Sequence, residues 1–164
     1  MASYFLALGS NLGNRDANFR TALQKLAARN VAVKRSASVY STEPKEIRDQ
    51  PSFLNTVIEV ETSLSPEDLM RTCLDVEADC GRQRVQPNGP RTLDLDIILS
   101  GDRVVQTDLV TIPHPRYDVR RFVVEPLAEL APDFVDPVRG EPMRQILSRL
   151  EDEAEVQRVG PPLI

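Results

Sequence analysis

Hydrophobic positions along this chain fall into two alternating periods. The run "SYFLALG" closes on Gly9 and predicts a first strand. Phe19, Ala22, Leu23 and Leu26 then recur at helical spacing after the polar, glycine-containing entry "SNLGN". "VAVKRSASVY" puts Val31, Val33, Ala37 and Val39 on one side and predicts a second strand. The charged, proline-containing "STEPKEIRDQPS" reads as a long loop. "FLNTVIEVET" follows as a strand with Leu54, Ile58 and Val60 on one face and Phe53 and Asn55 on the other.

A second helix is signalled in "SPEDLMRTCLDVEADCGR". Ser65 can cap it, Pro66 suits its first position, Asp68 completes a capping-box pattern and Gly81 can end it. Leu69, Cys73, Val76 and Cys80 form its apolar stripe. "GPRTLDLDIIL" predicts another strand, and "SGDRVV" a tight turn into a short one. "TIPHPRYDVRR" reads as a proline-broken loop, Phe122 to Val124 as a short apolar run, and the region from Met143 to Leu150 as a last helix. The segment after about residue 155 reads as a polar, less ordered tail. The order β-α-β-β-α-β predicts an α+β ferredoxin-like sandwich: a mainly antiparallel sheet, helices packed on one side, and extra C-terminal elements. No linker or repeat divides it, so residues 1–164 are read as one domain.

Composition narrows the function classes. A chain of 164 residues with 41% hydrophobic and 27% charged residues is an ordinary globular composition with room for a full core. No apolar run approaches membrane-spanning length, and "MASYFLALGS" has neither a basic lead nor a long apolar stretch. The expectation is a cytoplasmic protein with its own start residue and no membrane partner. The two cysteines, Cys73 and Cys80, lie on one predicted helix about 10 Å apart, too far for a disulfide, and read as reduced thiols. A net charge of −5 argues against nucleic acid as partner. Arginines nonetheless cluster at Arg82, Arg84 and Arg91 and again at Arg116, Arg120 and Arg121, which suits a small polyanion.

The sharpest chemical signal is Asp94 and Asp96. On a strand they project from one face while Leu93, Leu95 and Ile97 project from the other. Adjacent carboxylates repel, and a divalent cation would reverse that sign with the oxygen ligands it prefers. A half-exposed strand with a polar outer face accounts for the same pattern. "GSNLGN" is either a tight turn with a helix cap or a place where backbone approaches a ligand at Gly9, which has no Cβ. Asn55 is either an outward polar residue or a reader of a flat heterocycle's polar edge. His114, the single histidine, sits between prolines as a hydrogen-bonding residue or a ligand contact.

The blocks "LGSNLGN", "YSTEP…DQPSFLNTV", "EADCGRQR", "GPRTLDLDIIL", "IPHPR" and "RRFVVEPLAELAP" together resemble the 6-hydroxymethyl-7,8-dihydropterin pyrophosphokinase family of the folate pathway. The resemblance runs from Tyr4 to about Leu150, in order and at the family's spacings. It implies transfer of the pyrophosphoryl group of ATP to the pterin hydroxymethyl group, giving AMP and the pterin diphosphate, by a monomer acting on small molecules. Asp94 and Asp96 match the family's aspartates that hold two Mg2+ ions on ATP. Arg82 and Arg91 match catalytic arginines. Glu77, Arg82, Arg84, Arg91, Ile97, His114 and Arg120 match the nucleotide side. Gly9, Thr42, Pro44, Phe53, Asn55 and Phe122 match the pterin pocket, where Phe122 stacks on the ring.

Some positions depart from the family pattern. Phe53 stands where other members carry Tyr. "KEIRD" lacks a glycine often found before "DQP", Pro87 and Asn88 replace Arg and Trp of some relatives in a loop one residue shorter, and Pro115 replaces an aromatic residue. A catalytically inactive ferredoxin-like ligand-binding module is the alternative, disfavoured because a binder needs neither a metal pair nor the arginines. A metal-dependent phosphohydrolase is disfavoured because it needs no acceptor pocket.

Overall fold

The computed structural model of the chain describes residues 1–11, 13–42, 52–81, 93–152 and 155–164. Its principal sheet contains β1 (Ala2–Ser10), β2 (Ala32–Ser36), β3 (Val39–Thr42), β4 (Phe53–Thr62), β5 (Asp94–Leu99) and β8 (Val156–Gly160). The strands run in the order β5-β1-β4-β3-β8, with β2 also on β4, and all these pairings are antiparallel. Helices α1 (Arg15–Ala28) and α2 (Pro66–Asp79) make the two crossovers of the ferredoxin-like α+β frame. A separate hairpin joins β6 (Val105–Gln106) to β7 (Thr111–Ile112). Helices α3 (Arg121–Leu130) and α4 (Met143–Ser148) follow.

The predicted caps do their work. Asn14 accepts the Ala17 N–H at 3.0 Å, and Ser65 accepts the Asp68 N–H at 3.1 Å, each satisfying a donor left open at a helix start. The Asp68 carboxylate pairs with Arg71 at 2.9 Å instead of completing a capping box. Gly81 takes φ +80° just past α2, a conformation that costs glycine nothing.

Apolar alternation sends residues of the same strands into two cores. Tyr4, Leu6, Leu8, Leu54, Ile58, Val60, Leu93, Leu95 and Ile97 meet Phe19, Leu26, Leu69, Cys73 and Val76 of α1 and α2 on one face. Phe5, Val57 and Ile98 meet Val123, Val124, Leu127, Met143 and Ile146 on the other. Helices therefore cover both faces, not one. Cys73 is buried and Cys80 half-buried, both as free thiols. Burial pushes the Cys73 thiol up to about 12, with the charges of Glu77 and Asp96 adding to the shift, so it stays protonated.

The structure corrects the sequence reading in three further places. The apolar run Phe122 to Val124 belongs to a ten-residue helix, α3, with Pro126 inside it. Proline removes one helical hydrogen bond, but burial of Val123, Val124 and Leu127 holds the helix against that loss. The second strand is interrupted: Ser36 lies opposite Ile58 and Tyr40 opposite Asn55, so an extra residue bulges at Ala37 and Ser38. There the Thr56 hydroxyl lies 3.0 Å from the carbonyls of Ala37 and Ser38, and Glu129 of α3 accepts the Ser38 N–H at 3.0 Å. The tail read as less ordered instead contains β8, whose Arg158 and Val156 lie opposite Tyr40 and Thr42. The long loop after β3 and the segment between α2 and β5 lie mostly outside the described residues.

Replacing Ser65 by Ala should destabilise the protein by about 1 kcal/mol, read from the denaturant midpoint at unchanged slope, and Ser65→Gly by only a few tenths.

Candidate active site

One row of cross-strand partners organises the open end of the second face. Asp94 of β5 lies opposite Gly9 of β1, Gly9 opposite Asn55 of β4, and Asn55 opposite Tyr40 of β3. Directly opposed residues share a face, so these four positions look the same way. Asp96 lies opposite Ala7 one step along, and Phe53 opposite Thr42 on the other side of the row. The expected common face of Asp94 and Asp96 is thus present, with Leu93, Leu95 and Ile97 buried behind it.

Gly9 is where backbone must approach closely. A Cβ built there would stand 3.2 Å from the Asn55 amide oxygen and 3.8 Å from the Asp94 Cβ. Asn55 is buried, and its Nδ2 donates to the Thr42 hydroxyl at 2.8 Å, which orients the amide. Thr42 and Asn55 therefore act as one polar unit at the floor of the row, with the Phe53 ring beside them.

The edge of β5 is managed by a buried acid. Glu77, 4% exposed on α2, accepts the N–H of Leu95, the residue between the two aspartates, at 2.8 Å. Ile97 faces the first core, so any contact it makes on the aspartate side comes from its backbone. The β1–β5 register shifts between Phe5 and Leu6, which leaves Ile98 without an opposite residue on β1. Its carbonyl accepts the His114 N–H at 2.9 Å, tethering the "IPHPR" loop to the aspartate strand.

His114 Nδ1 accepts the Arg116 N–H at 3.2 Å, which requires that nitrogen to be unprotonated. Burial, then the charges of Arg120 and Arg116, push the imidazole down to about 4. Arg120 caps α3, and Phe122, its second residue, packs partly buried on the second core. Arg82, Arg84, Arg91 and Pro44 lie outside the described residues. Tyr40 shares this row and, two residues from Thr42, the same face of β3; its hydroxyl donates to Glu129 of α3.

Among the described residues no group of three or more His, Cys, Asp and Glu side chains is placed to hold a metal. Two hard carboxylates on one strand face nevertheless fit magnesium, which uses one or two carboxylates and completes its shell with water and substrate phosphates.

Fold and site together define a ferredoxin-like α+β protein with two carboxylates on one strand face and a buried, hydrogen-bonded Asn55–Thr42 pair on the same side of the sheet. The profile described as 7,8-dihydro-6-hydroxymethylpterin-pyrophosphokinase (HPPK) matches residues 5–132. A 2-amino-4-hydroxy-6-hydroxymethyldihydropteridine pyrophosphokinase of Methylorubrum extorquens is 37% identical over 160 residues, 97% of this chain and 99% of that one. Its counterpart in Synechocystis is 40% identical over 147 residues, covering 89% and 75%. This chain belongs to the HPPK family. It spans only 20% of the length of the folic acid synthesis protein fol1 of Schizosaccharomyces pombe, to which it is 39% identical over 91% of its own length. Plasmodium falciparum HPPK-DHPS shares the fold, with a TM-score of 0.70 at 13% identity over 91% of this chain and 43% of that one.

Two measurements check this site. Glu77→Ala leaves a buried Leu95 N–H without its acceptor and should cost about 1–3 kcal/mol in a chemical melt, whereas Glu77→Gln retains an acceptor and should cost less. The second is an NMR titration of the single histidine, whose ring protons should move near pH 4 and not near 6.5. The unfolded chain takes up that proton first, so the stability contributed by neutral His114 is complete above about pH 6.5 and is lost as pH falls toward 4.

Proposed function

We propose that this chain transfers the β,γ-pyrophosphoryl group of ATP to the hydroxymethyl group of 6-hydroxymethyl-7,8-dihydropterin, as a single-domain cytoplasmic monomer in folate synthesis. Family membership supports the reaction. The observation that carries it to these residues is the row Asp94, Gly9, Asn55, Tyr40, which sets a cation-binding carboxylate on one side of β1 and an oriented amide on the other. No helix among the described residues is long and apolar enough to cross a membrane.

In this reading Asp94 and Asp96 would hold two Mg2+ ions on ATP. Bound magnesium neutralises triphosphate charge and the charge that develops during transfer. Asn55, held by Thr42, presents its amide to the pterin's polar edge, and the rings of Phe53 and Phe122 flank the flat heterocycle. Gly9 borders the same group, and Pro44 joins it by its match to the family pattern. Arg82, Arg84, Arg91 and Arg120 hold phosphate oxygens through guanidinium forks that stay charged at any working pH. His114, neutral, donates from Nε2 to the nucleotide without adding charge. Glu77 and the Ile97 backbone border the nucleotide side along β5.

The pterin hydroxyl oxygen bonds to the β phosphorus as the bond from that phosphorus to the α,β-bridging oxygen breaks. AMP leaves, and the hydroxyl proton passes to solvent. No described side chain is a convincing general base, so positioning and electrostatics carry the rate.

Purified protein with MgATP and the hydroxymethyl dihydropterin should form AMP and pterin diphosphate in equal amounts, resolved by chromatography. Asp94→Asn and Asp96→Asn should each lose about 100-fold or more in kcat with unchanged melting temperature. ADP as product would overturn the site of attack. Pterin binding with no nucleotide turnover would identify the inactive binding module instead.

A further inference from the structure

A tight hairpin of residues 136–141 follows the residues matched by the family profile, and two of its charged side chains, Asp136 and Arg139, reach one distant segment. The Asp136 side chain is fully buried. One carboxylate oxygen accepts the N–H groups of Val138 and Arg139 at 2.8 and 2.9 Å, which shapes the hairpin. The other accepts the Tyr117 hydroxyl and, at 2.9 Å, the Arg139 guanidinium. Burial raises this carboxyl, but the bonds from Tyr117 and Arg139 outweigh it and keep the group ionised.

Arg139 lies over the Tyr117 ring, 5.2 Å from its centroid. Its Nε stands 3.0 Å from one Asp118 oxygen and its Nη2 donates to the other at 3.1 Å. Nη2 also donates to the Pro115 carbonyl at 3.4 Å. Beyond its own hairpin, each of these partners belongs to the stretch from Pro115 to Asp118. His114 precedes that stretch, tied to Ile98 of β5, and Arg120 follows it, donating its N–H to the Tyr117 carbonyl at 3.0 Å. Asp118 is turned toward Arg139 and, at 3.6 Å, Arg149, and so is neutralised without drawing on Arg116 or Arg120. The same contacts thus set the position of the segment and the sign of its field.

We propose that Asp136 and Arg139 are positioning residues for the nucleotide side of the site, clamping Pro115–Asp118 so that His114 and Arg120 are held ready for a triphosphate. The proposal rests on the nucleotide assignment of His114 and Arg120 made above. Only a planar fork can reach both carboxylates from above the ring, so Lys does not replace Arg here.

The test compares Arg139→Ala, Arg139→Lys and Tyr117→Phe with the unaltered chain, using calorimetry with a Mg2+-bound non-hydrolysable ATP analogue and, separately, the hydroxymethyl dihydropterin. Arg139→Ala should raise the nucleotide Kd about tenfold and leave the pterin Kd within about twofold, with no rescue by Lys. Tyr117→Phe, which keeps the ring and its packing, should give about a threefold loss of the same selectivity and serves if Arg139→Ala fails to fold. Equal weakening of both ligands, or a lower melting temperature with both Kd values unchanged, overturns the proposal. If His114→Ala and Arg120→Ala leave nucleotide affinity unchanged, the nucleotide assignment itself fails, and the proposal falls with it.

Discussion

Everything at the candidate site depends on the register of β1 between its two neighbours. Gly9 is opposed by Asp94 on one side and Asn55 on the other, and a Cβ there would press on the Asn55 amide oxygen at 3.2 Å. Because side chains alternate along a strand, slipping β5 by one residue would turn both aspartates into the first core and bring leucines to the open face. That register is held by the apolar residues behind it. Leu93, Leu95 and Ile97 can be buried only if the carboxylates face out.

The second face of the sheet is divided between two uses. At one end α3 and α4 cover it as an ordinary core; at the other it carries the acidic and amide groups. The packing of α3 also places Phe122, its second residue, since later residues of the same helix bury against Val57 and Ile98. Near its end the same helix reaches β3, where Glu129 takes the N–H and hydroxyl of Ser38 and the hydroxyl of Tyr40. A carboxylate pair at a sheet edge is costly to hold still. Glu77 contributes here by taking the outward N–H of Leu95, so the edge is fastened between the two positions that must stay in place.

The segment from His114 to Arg120 is organised differently, fastened at several points. His114 hangs from the bulged carbonyl of Ile98, and Pro115 to Asp118 meet Arg139. An uncharged imidazole among arginines adds a donor without adding repulsion between cations. A neutral histidine and neutralised aspartates leave the field of this region to Arg116 and Arg120.

Much of this was legible in the residues themselves. Alternation along "LDLDIIL" determined which face the aspartates take, since a strand offers only two. Helical spacing of Phe19, Ala22 and Leu26, and the Ser65-Pro66 start, determined α1 and α2, because local caps and a continuous stripe suffice for that. The β-α-β-β-α-β order determined the frame, and the quoted motifs determined the family. Local pattern did not reach α3, which reads only as the short apolar run Phe122 to Val124 until the second core is there to bury Val123 and Leu127. Nor did it reach β8, whose polar sequence becomes a strand because β3 offers it an open edge. Long-range contact also decided the partner of Glu77, the bulge at Ala37 and Ser38, and the reach of Arg139 across to Pro115 and Asp118. In each case the deciding partner lies far along the chain, and no local pattern encodes which distant backbone group or carboxylate folding will bring alongside.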